Sequence, residues 1–494
     1  MGRPEREHRS AKHEGSPLTA PGRPEGECRR AQHDDSRTIV VIGGGWAGCA
    51  AAVELARRGH RVELHEAAAA LGGRARSVVR DGLPLDNGEH LLLGAYADTL
   101  ALAATIRDGD ARSAWRIEPL AIRAFGDGQR DAVSLAAPNL PASLGLLAGL
   151  LTATGLAWRD RAATLSWFAR QRWRGYRCDA QASVADLLAE LPAPVRDGLL
   201  GPICLAALNT PPERASGQLF LNALRQTFGA GSHATAIVVP REGLGRAVPE
   251  RAGEWLAARG HAVRTSTRTR VTAIDANGVA LESGGRAMRA DGVVVAVGPH
   301  QLAAAFAPAL AARHEGIAAA LGDVARFDYE PIATVYLGYD APVALPRGLL
   351  RLDAMPGQWL FDRTDVLRRA HASHAGADLR ALVSVVISAR GPHDGLDHPR
   401  LAAAIDAQLH RLAPGFPALR WSQVFEEKRA TYACTPALAR PRCGTLAPRV
   451  CLAGDYTHPT LPATLEAAVA SGLNAARAFA SAAAAAARGS IRAP

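Results

Sequence analysis

Apolar residues in this chain come in short runs punctuated by glycine, and the first run is the clearest. Thr38–Ile42 is short and β-branched, which predicts a buried strand. Gly48–Gly59 carries Ala51, Val53 and Leu55 and predicts a helix that Gly59 stops. Arg61–His65 follows as a second strand and ends at Glu66. Strand, tight turn, helix and strand together open a βαβ unit. The pattern then changes. Residues 101–237 are Ala/Leu-rich and read as helical. At Pro240 the mixed pattern returns, with a helix near Ala247–Arg259, strands between Val263 and Ile274, and an apolar strand at Gly292–Val297. Strands such as Ile332–Tyr339 and Ala381–Ser388 follow, and Arg449–Ala453 is the last.

This succession predicts an α/β protein. A Rossmann-like dinucleotide domain is expected from residues 37–100, 238–300 and 446–480, interleaved with an α+β substrate domain from 101–237 and 301–445. Residues 1–36 are charged and poor in apolar groups, so they are expected to be a disordered leader. They lack the apolar core of a signal peptide. The Ala-rich end, 481–494, is expected to be a flexible tail.

Composition adds less than it first suggests. The 494 residues carry a net charge of +10, which invites a nucleic-acid reading. Only Lys12 and Lys428 are lysines, however, and the arginines are dispersed among Ala-rich tracts. That is the mark of a codon bias, not of a phosphate-binding face, and no nucleic-acid partner is expected. The seven cysteines are scattered and form no CxxC pair. They point to reduced thiols in a cytoplasmic chain, with no disulfide frame and no metal site.

One stretch bears on lipid. No charged residue lies between Ala132 and Trp158, and Arg159, Arg161, Trp167, Phe168, Arg170, Arg172, Trp173, Arg174, Tyr176 and Arg177 follow. The run Leu144–Trp158 is shorter than the ~20 residues of a spanning helix. Two readings stay open: a peripheral dip into one leaflet of the membrane's inner face, and a buried helix of the substrate domain.

The chemistry sits at the two ends of the chain. Gly43, Gly45 and Gly48 match the dinucleotide fingerprint, with a strand before, a helix after, and Trp46 and Ala47 inside the turn. The first glycine allows the turn, the second the approach of pyrophosphate, and the third close helix–strand packing. Glu66 is placed for a ribose hydroxyl pair. Leu71-Gly72-Gly73-Arg74 adds a second backbone approach, through Gly73, and an arginine for phosphate. Val271, in a strand, offers its backbone to an adenine. Near the other end, Gly454-Asp455 closes the last strand, where a carboxylate accepts a ribityl hydroxyl. Thr464 precedes a helix whose N-terminus favours negative charge on a reduced flavin. These signatures bracket a single FAD-binding domain of the glutathione-reductase and amine-oxidase type. No second GxGxxG follows a strand, so an external electron donor is expected.

Candidate acids come from two places. Asp86-Asn87-Gly88-Glu89-His90 is a polar, Gly-hinged loop, and Glu89 or His90 is expected to give a proton to a leaving group. Lys428 is a lysine in a chain that otherwise writes its cations as arginine, and it closely precedes the final flavin strand.

Taken together, Val41-Ile-Gly-Gly-Gly-Trp-Ala-Gly48, Leu85-Asp-Asn-Gly-Glu-His-Leu-Leu-Leu-Gly-Ala-Tyr96, Tyr329-Glu-Pro-Ile-Ala-Thr-Val-Tyr336, Gly357-Gln-Trp-Leu-Phe-Asp-Arg363, Glu427-Lys-Arg-Ala-Thr431 and Leu452-Ala-Gly-Asp-Tyr-Thr457 resemble the hydroxysqualene dehydroxylase family. That family lies within the flavin amine-oxidase superfamily, and the resemblance runs from about Thr38 to Ala476. It implies FAD, a long apolar isoprenoid substrate and reductive removal of an allylic hydroxyl to give squalene. The family usually has Gln where this chain has Glu89. The last motif is also similar to carotenoid desaturases, the alternative reading. A non-catalytic prenyl-binding escort is a third, and the intact pyrophosphate motifs at both ends count against it.

Overall fold

The computed structural model describes residues 37–126, 132–138, 140, 142–229, 233–369 and 379–490. The expected leader, 1–36, lies outside them.

The βαβ opening forms as the pattern predicts. Strand Thr38–Ile42 leads through the glycine turn into helix Trp46–Arg57 and back into strand Arg61–His65. The two strands pair in parallel. They belong to a six-stranded sheet ordered Ala262–Arg264, Arg61–His65, Thr38–Ile42, Gly292–Val295, Val450–Leu452 and Gly444–Ala447. The last of these is antiparallel to its neighbour. Every second side chain of a strand points to the same face, so a strand buried on both sides reads as one continuous apolar run. Ile39 and Val41 pack with helices Trp46–Arg57 and Leu465–Ser490. Val40 and Ile42 share the opposite core with Val271, Val279 and Leu281, from the sheet Thr269–Asp275, Gly278–Ser283 and Arg286–Ala290.

A seven-stranded sheet runs Leu419–Tyr432, Tyr329–Tyr339, Ala381–Ser388, Trp359–Asp362, Leu349–Arg351, Ala121–Ala124, Leu135–Ala136. On one face Val335, Leu337, Val383 and Val385 pack under Leu401, Ile405 and Leu409 of helix His398–Leu412. From its other face Ile332, Trp359, Phe361 and Val386 line a cavity.

Several local readings shift. The stretch expected to be helical from 101 to 237 contains strands Trp115–Glu118, Ala121–Ala124 and Leu135–Ala136. Trp115–Glu118 pairs with Ile237–Pro240 and Ala121–Ala124 with Leu349–Arg351, partners too distant to leave a hairpin signal. The helix expected at Ala247–Arg259 is two helices, Leu244–Ala247 and Pro249–Ala258, because Pro249 restricts Val248 before it. The final helix continues into the expected tail as far as Ser490, in keeping with the high helix propensity of its alanines, and 491–494 lie outside the described residues. Among the described residues no helix is long and apolar enough to cross a membrane.

Candidate active site

The glycine turn is built by close contacts. Gly43 has φ +106°, and a Cβ there would lie 2.6 Å from the Ala296 carbonyl oxygen. A Cβ on Gly48 would lie 1.8 Å from the Gly43 oxygen, so this glycine packs beneath the turn, away from the cavity. Gly45 differs: a Cβ added to it meets nothing within 4 Å, and it opens onto the cavity. The Gly44 N–H donates to Glu66 Oε2 at 2.6 Å and the Ala68 N–H to Glu66 Oε1 at 2.7 Å. Those two bonds fix the carboxylate at the cavity wall and leave a lone pair on each oxygen. Trp46 is buried, and its indole donates to the Ala75 carbonyl at 3.1 Å, tying the turn to the short helix Gly73–Ala75.

Arg74 joins both ends of the chain. Its guanidinium donates to Asp455 Oδ1 and to the Ala430 carbonyl, each at 2.7 Å. Burial works against the Arg74 charge, but Asp455, with help from Glu427 and Tyr432, offsets it, and the pKa stays above the ordinary value. The Gly454 N–H donates to Ser471 Oγ at 2.8 Å. Thr464 caps the last helix, its Oγ1 accepting from the Ala467 N–H at 3.1 Å.

These groups share a cavity of about 760 Å³, lined by Gly43, Gly45, Trp46, Ala47, Glu66, Gly73, Arg74, Gly454, Asp455 and Thr464. Leu120, Ile122, Ile203, Phe220, Leu224 and Phe228 form an apolar wall of the same space. The open cradle at Gly45 and the adjoining backbone approach at Gly73 suit a dinucleotide pyrophosphate, and Glu66 suits its ribose.

Glu89 and His90 line the cavity too. Glu89 Oε1 accepts from Ser384 Oγ at 2.8 Å and lies 3.1 Å from Arg363 Nε, without the alignment of a hydrogen bond. Burial raises the Glu89 carboxyl pKa against the opposing pull of Arg363, and Asp86 adds to the rise. Asp86 is itself buried. It accepts from Arg363 Nη2 at 2.9 Å, Ser77 Oγ at 2.7 Å and the Leu244 N–H at 2.9 Å. The Tyr336 hydroxyl donates to the Asp86 carbonyl at 3.1 Å. His90 Nδ1 lies 2.9 Å from the Gly88 carbonyl, which can only accept, so Nδ1 carries a proton. Burial lowers the His90 pKa, which favours the neutral ring.

Besides Gly48, two expected site residues lie off the cavity. Lys428 is exposed, on the solvent side of a strand that turns Glu427, Ala430 and Thr431 to the cavity. Val271 is fully buried, and its carbonyl accepts from the Ala307 N–H at 2.8 Å. Its neighbours Thr267, Arg268 and Thr269 line the cavity instead. Sequence reasoning passed over Arg363, Tyr336 and Ser384. Arg363 left one signal, a cation directly behind the apolar run Trp359–Phe361.

A largely parallel sheet with a glycine turn after its first strand, an acid after its second and an arginine bound to the aspartate beyond Val450–Leu452 is the frame of a flavoprotein oxidoreductase. The family description "Flavin containing amine oxidoreductase" matches residues 46–479, and the chain belongs to that family, with FAD as its cofactor. Its relatives narrow the class. It is 30% identical over 455 residues to a hydroxysqualene dehydroxylase of Rhodopseudomonas palustris, covering 89% of this chain and 98% of that protein. It is 28% identical over 451 residues to a hydroxysqualene dehydroxylase of Sinorhizobium fredii, covering 89% and 97%. An oxidoreductase from Methanosarcina mazei shares the fold, with a TM-score of 0.66 at 16% identity over 88% of this chain and 99% of that one.

Proposed function

We propose that this enzyme removes the allylic hydroxyl of hydroxysqualene and delivers squalene, with the segments 37–100, 238–300 and 446–480 holding FAD and 101–237 with 301–445 shaping the substrate space. One observation carries the reading: a single cavity joins the glycine turns to an apolar wall and places the buried acid Glu89 on its surface. When bound in reduced form, FAD supplies the hydride that replaces the hydroxyl and is left oxidised.

The remaining work falls to side chains of this protein. Hydroxide is a poor leaving group, so the C–O bond needs a proton as it breaks. Glu89 is suited to give it, since burial keeps its carboxyl protonated to higher pH. The proton passes to the hydroxyl oxygen and water departs. Ser384 and Arg363 hold the carboxyl in place and stabilise the carboxylate left behind. His90, neutral at pH 7, fits a hydrogen-bonding role better than an acidic one. The apolar wall keeps water from the developing allylic cation. Reducing equivalents come from an external donor, and contact with a membrane surface gives access to an isoprenoid dissolved there.

The test is anaerobic incubation of purified protein with reduced FAD and hydroxysqualene. Squalene and oxidised flavin are expected in equal amounts. Conjugated product from phytoene under an oxidant, with no squalene, would establish a desaturase instead.

A further inference from the structure

Helix Ala142–Thr152 leaves three of its five leucines in solvent. Leu144, Leu147 and Leu151 are 52%, 39% and 40% exposed, and Leu140 just before the helix is 42% exposed. Their spacing of three or four residues puts them on one stripe, while Leu146 and Leu150 are buried against the core. The stripe is joined to the next helix, Trp158–Trp173. Arg161 of that helix stacks 4.7 Å over the Trp158 ring and donates to the Leu151 and Ala153 carbonyls. Trp158 and Trp173, at the two ends, are 70% and 88% exposed.

Beside Trp173 the chain opens a surface pocket of about 560 Å³, lined by Arg172, Arg174, Arg177 and Arg225 with Tyr176. All four arginines are exposed, and none pairs with a carboxylate among the described residues. Some other surface arginines are paired, as in Arg196–Asp197, Arg270–Glu282 and Arg289–Asp275; here four without a carboxylate gather round one hollow. Four unpaired guanidiniums round one hollow repel each other, and an anion there removes the repulsion. Arg225 stands on helix Gly217–Gly229, whose neighbouring Ala223, Leu224 and Thr227 line the large cavity. The basic pocket therefore backs onto the wall of the substrate space.

We propose that the leucine stripe, the two tryptophans and the arginine pocket form a docking face for an anionic lipid bilayer. Arginines fit phosphate headgroups, tryptophans the interface, and leucines the acyl boundary. The face deepens the reading above by naming the surface from which an isoprenoid is taken.

Vesicle flotation of the full FAD-loaded protein tests it, comparing phosphatidylglycerol-containing vesicles with phosphatidylcholine alone. The protein is expected to float with the anionic vesicles and to be released by raised salt. Each of R172Q, R174Q, R177Q and R225Q is expected to weaken binding about fivefold, and Leu144→Ser with Leu147→Ser to abolish it, with bound-flavin absorbance unchanged. Equal flotation of the variants, no flotation of the parent, or self-association through the leucine stripe in place of lipid binding would overturn the proposal. Turnover of detergent-dispersed hydroxysqualene without flotation sinks this face and spares the proposed reaction. Flotation without squalene formation does the reverse.

Discussion

Arg74 and Asp455 stand 381 positions apart in the chain and 2.7 Å apart in the fold. Their contact draws the turn after the second strand onto the end of the last strand, and so closes the cavity at that end. Asp455→Asn keeps the shape and removes the charge, at a cost of about 1.5–3 kcal/mol for a charged hydrogen bond. FAD affinity, followed by flavin fluorescence quenching, is expected to fall at least tenfold. Undiminished affinity would mean that this contact does not shape the cofactor end.

Two glycines of one turn separate folding from binding. Gly48→Val drives a side chain into the Gly43 carbonyl and is expected to yield little folded protein. Gly45→Val meets only open space, so the apoprotein is expected to keep its circular dichroism and thermal midpoint. It should nonetheless fail to bind FAD, because the new side chain occupies the pyrophosphate cradle.

Ionisation of Glu89 is expected to lower rate and stability together. Its carboxyl pKa is raised in the fold, so between the unfolded and folded values the native state binds more protons. Stability from this group is therefore full below the unfolded value of about 4.3 and is lost as pH rises through the folded value. Single-turnover oxidation of reduced FAD by hydroxysqualene should fall across the same upper limb. Glu89→Gln is expected to slow turnover by roughly 10²–10⁴-fold and remove that limb, while raising the thermal midpoint at pH 8. A variant with normal rate would take the acid role from Glu89.

Arg363 holds two buried carboxylates, Asp86 and Glu89. Arg363→Met leaves both without their cation, and about 3–5 kcal/mol of stability should be lost in chemical denaturation. Arg363→Lys keeps a charge but not the fork. It is expected to fold, with the upper limb of its pH–rate profile moved to higher pH, since a single ammonium drawn to Asp86 lies farther from Glu89 and opposes the rise of its pKa less. A profile identical to the parent's would deny Arg363 a hold on Glu89.

Lys428 faces solvent and does not line the cavity. Lys428→Arg is expected to leave turnover within about twofold of the parent. A large loss would return this lysine to the site.

What the sequence determined by itself was whatever a short window contains. Strand Thr38–Ile42, its glycine turn and Glu66 are legible because the fingerprint's spacing follows from local sterics, in which each glycine answers to a neighbouring backbone atom. Strand Ala381–Ser388 appears at the expected bounds because eight apolar or small residues in a row leave little alternative. Lys428 was singled out for its rarity, but strand alternation and a bulge opposite Glu330 and Ile332 decide which side chains face the cavity. The tertiary structure alone decided that Arg363 meets Asp86, across 277 positions, and that Ser384 meets Glu89, across 295. It also decided which leucines of an uncharged stretch stay in solvent. Periodicity fixes the face on which a side chain lies, and only packing determines what that face meets, because burial is set by partners from distant parts of the chain.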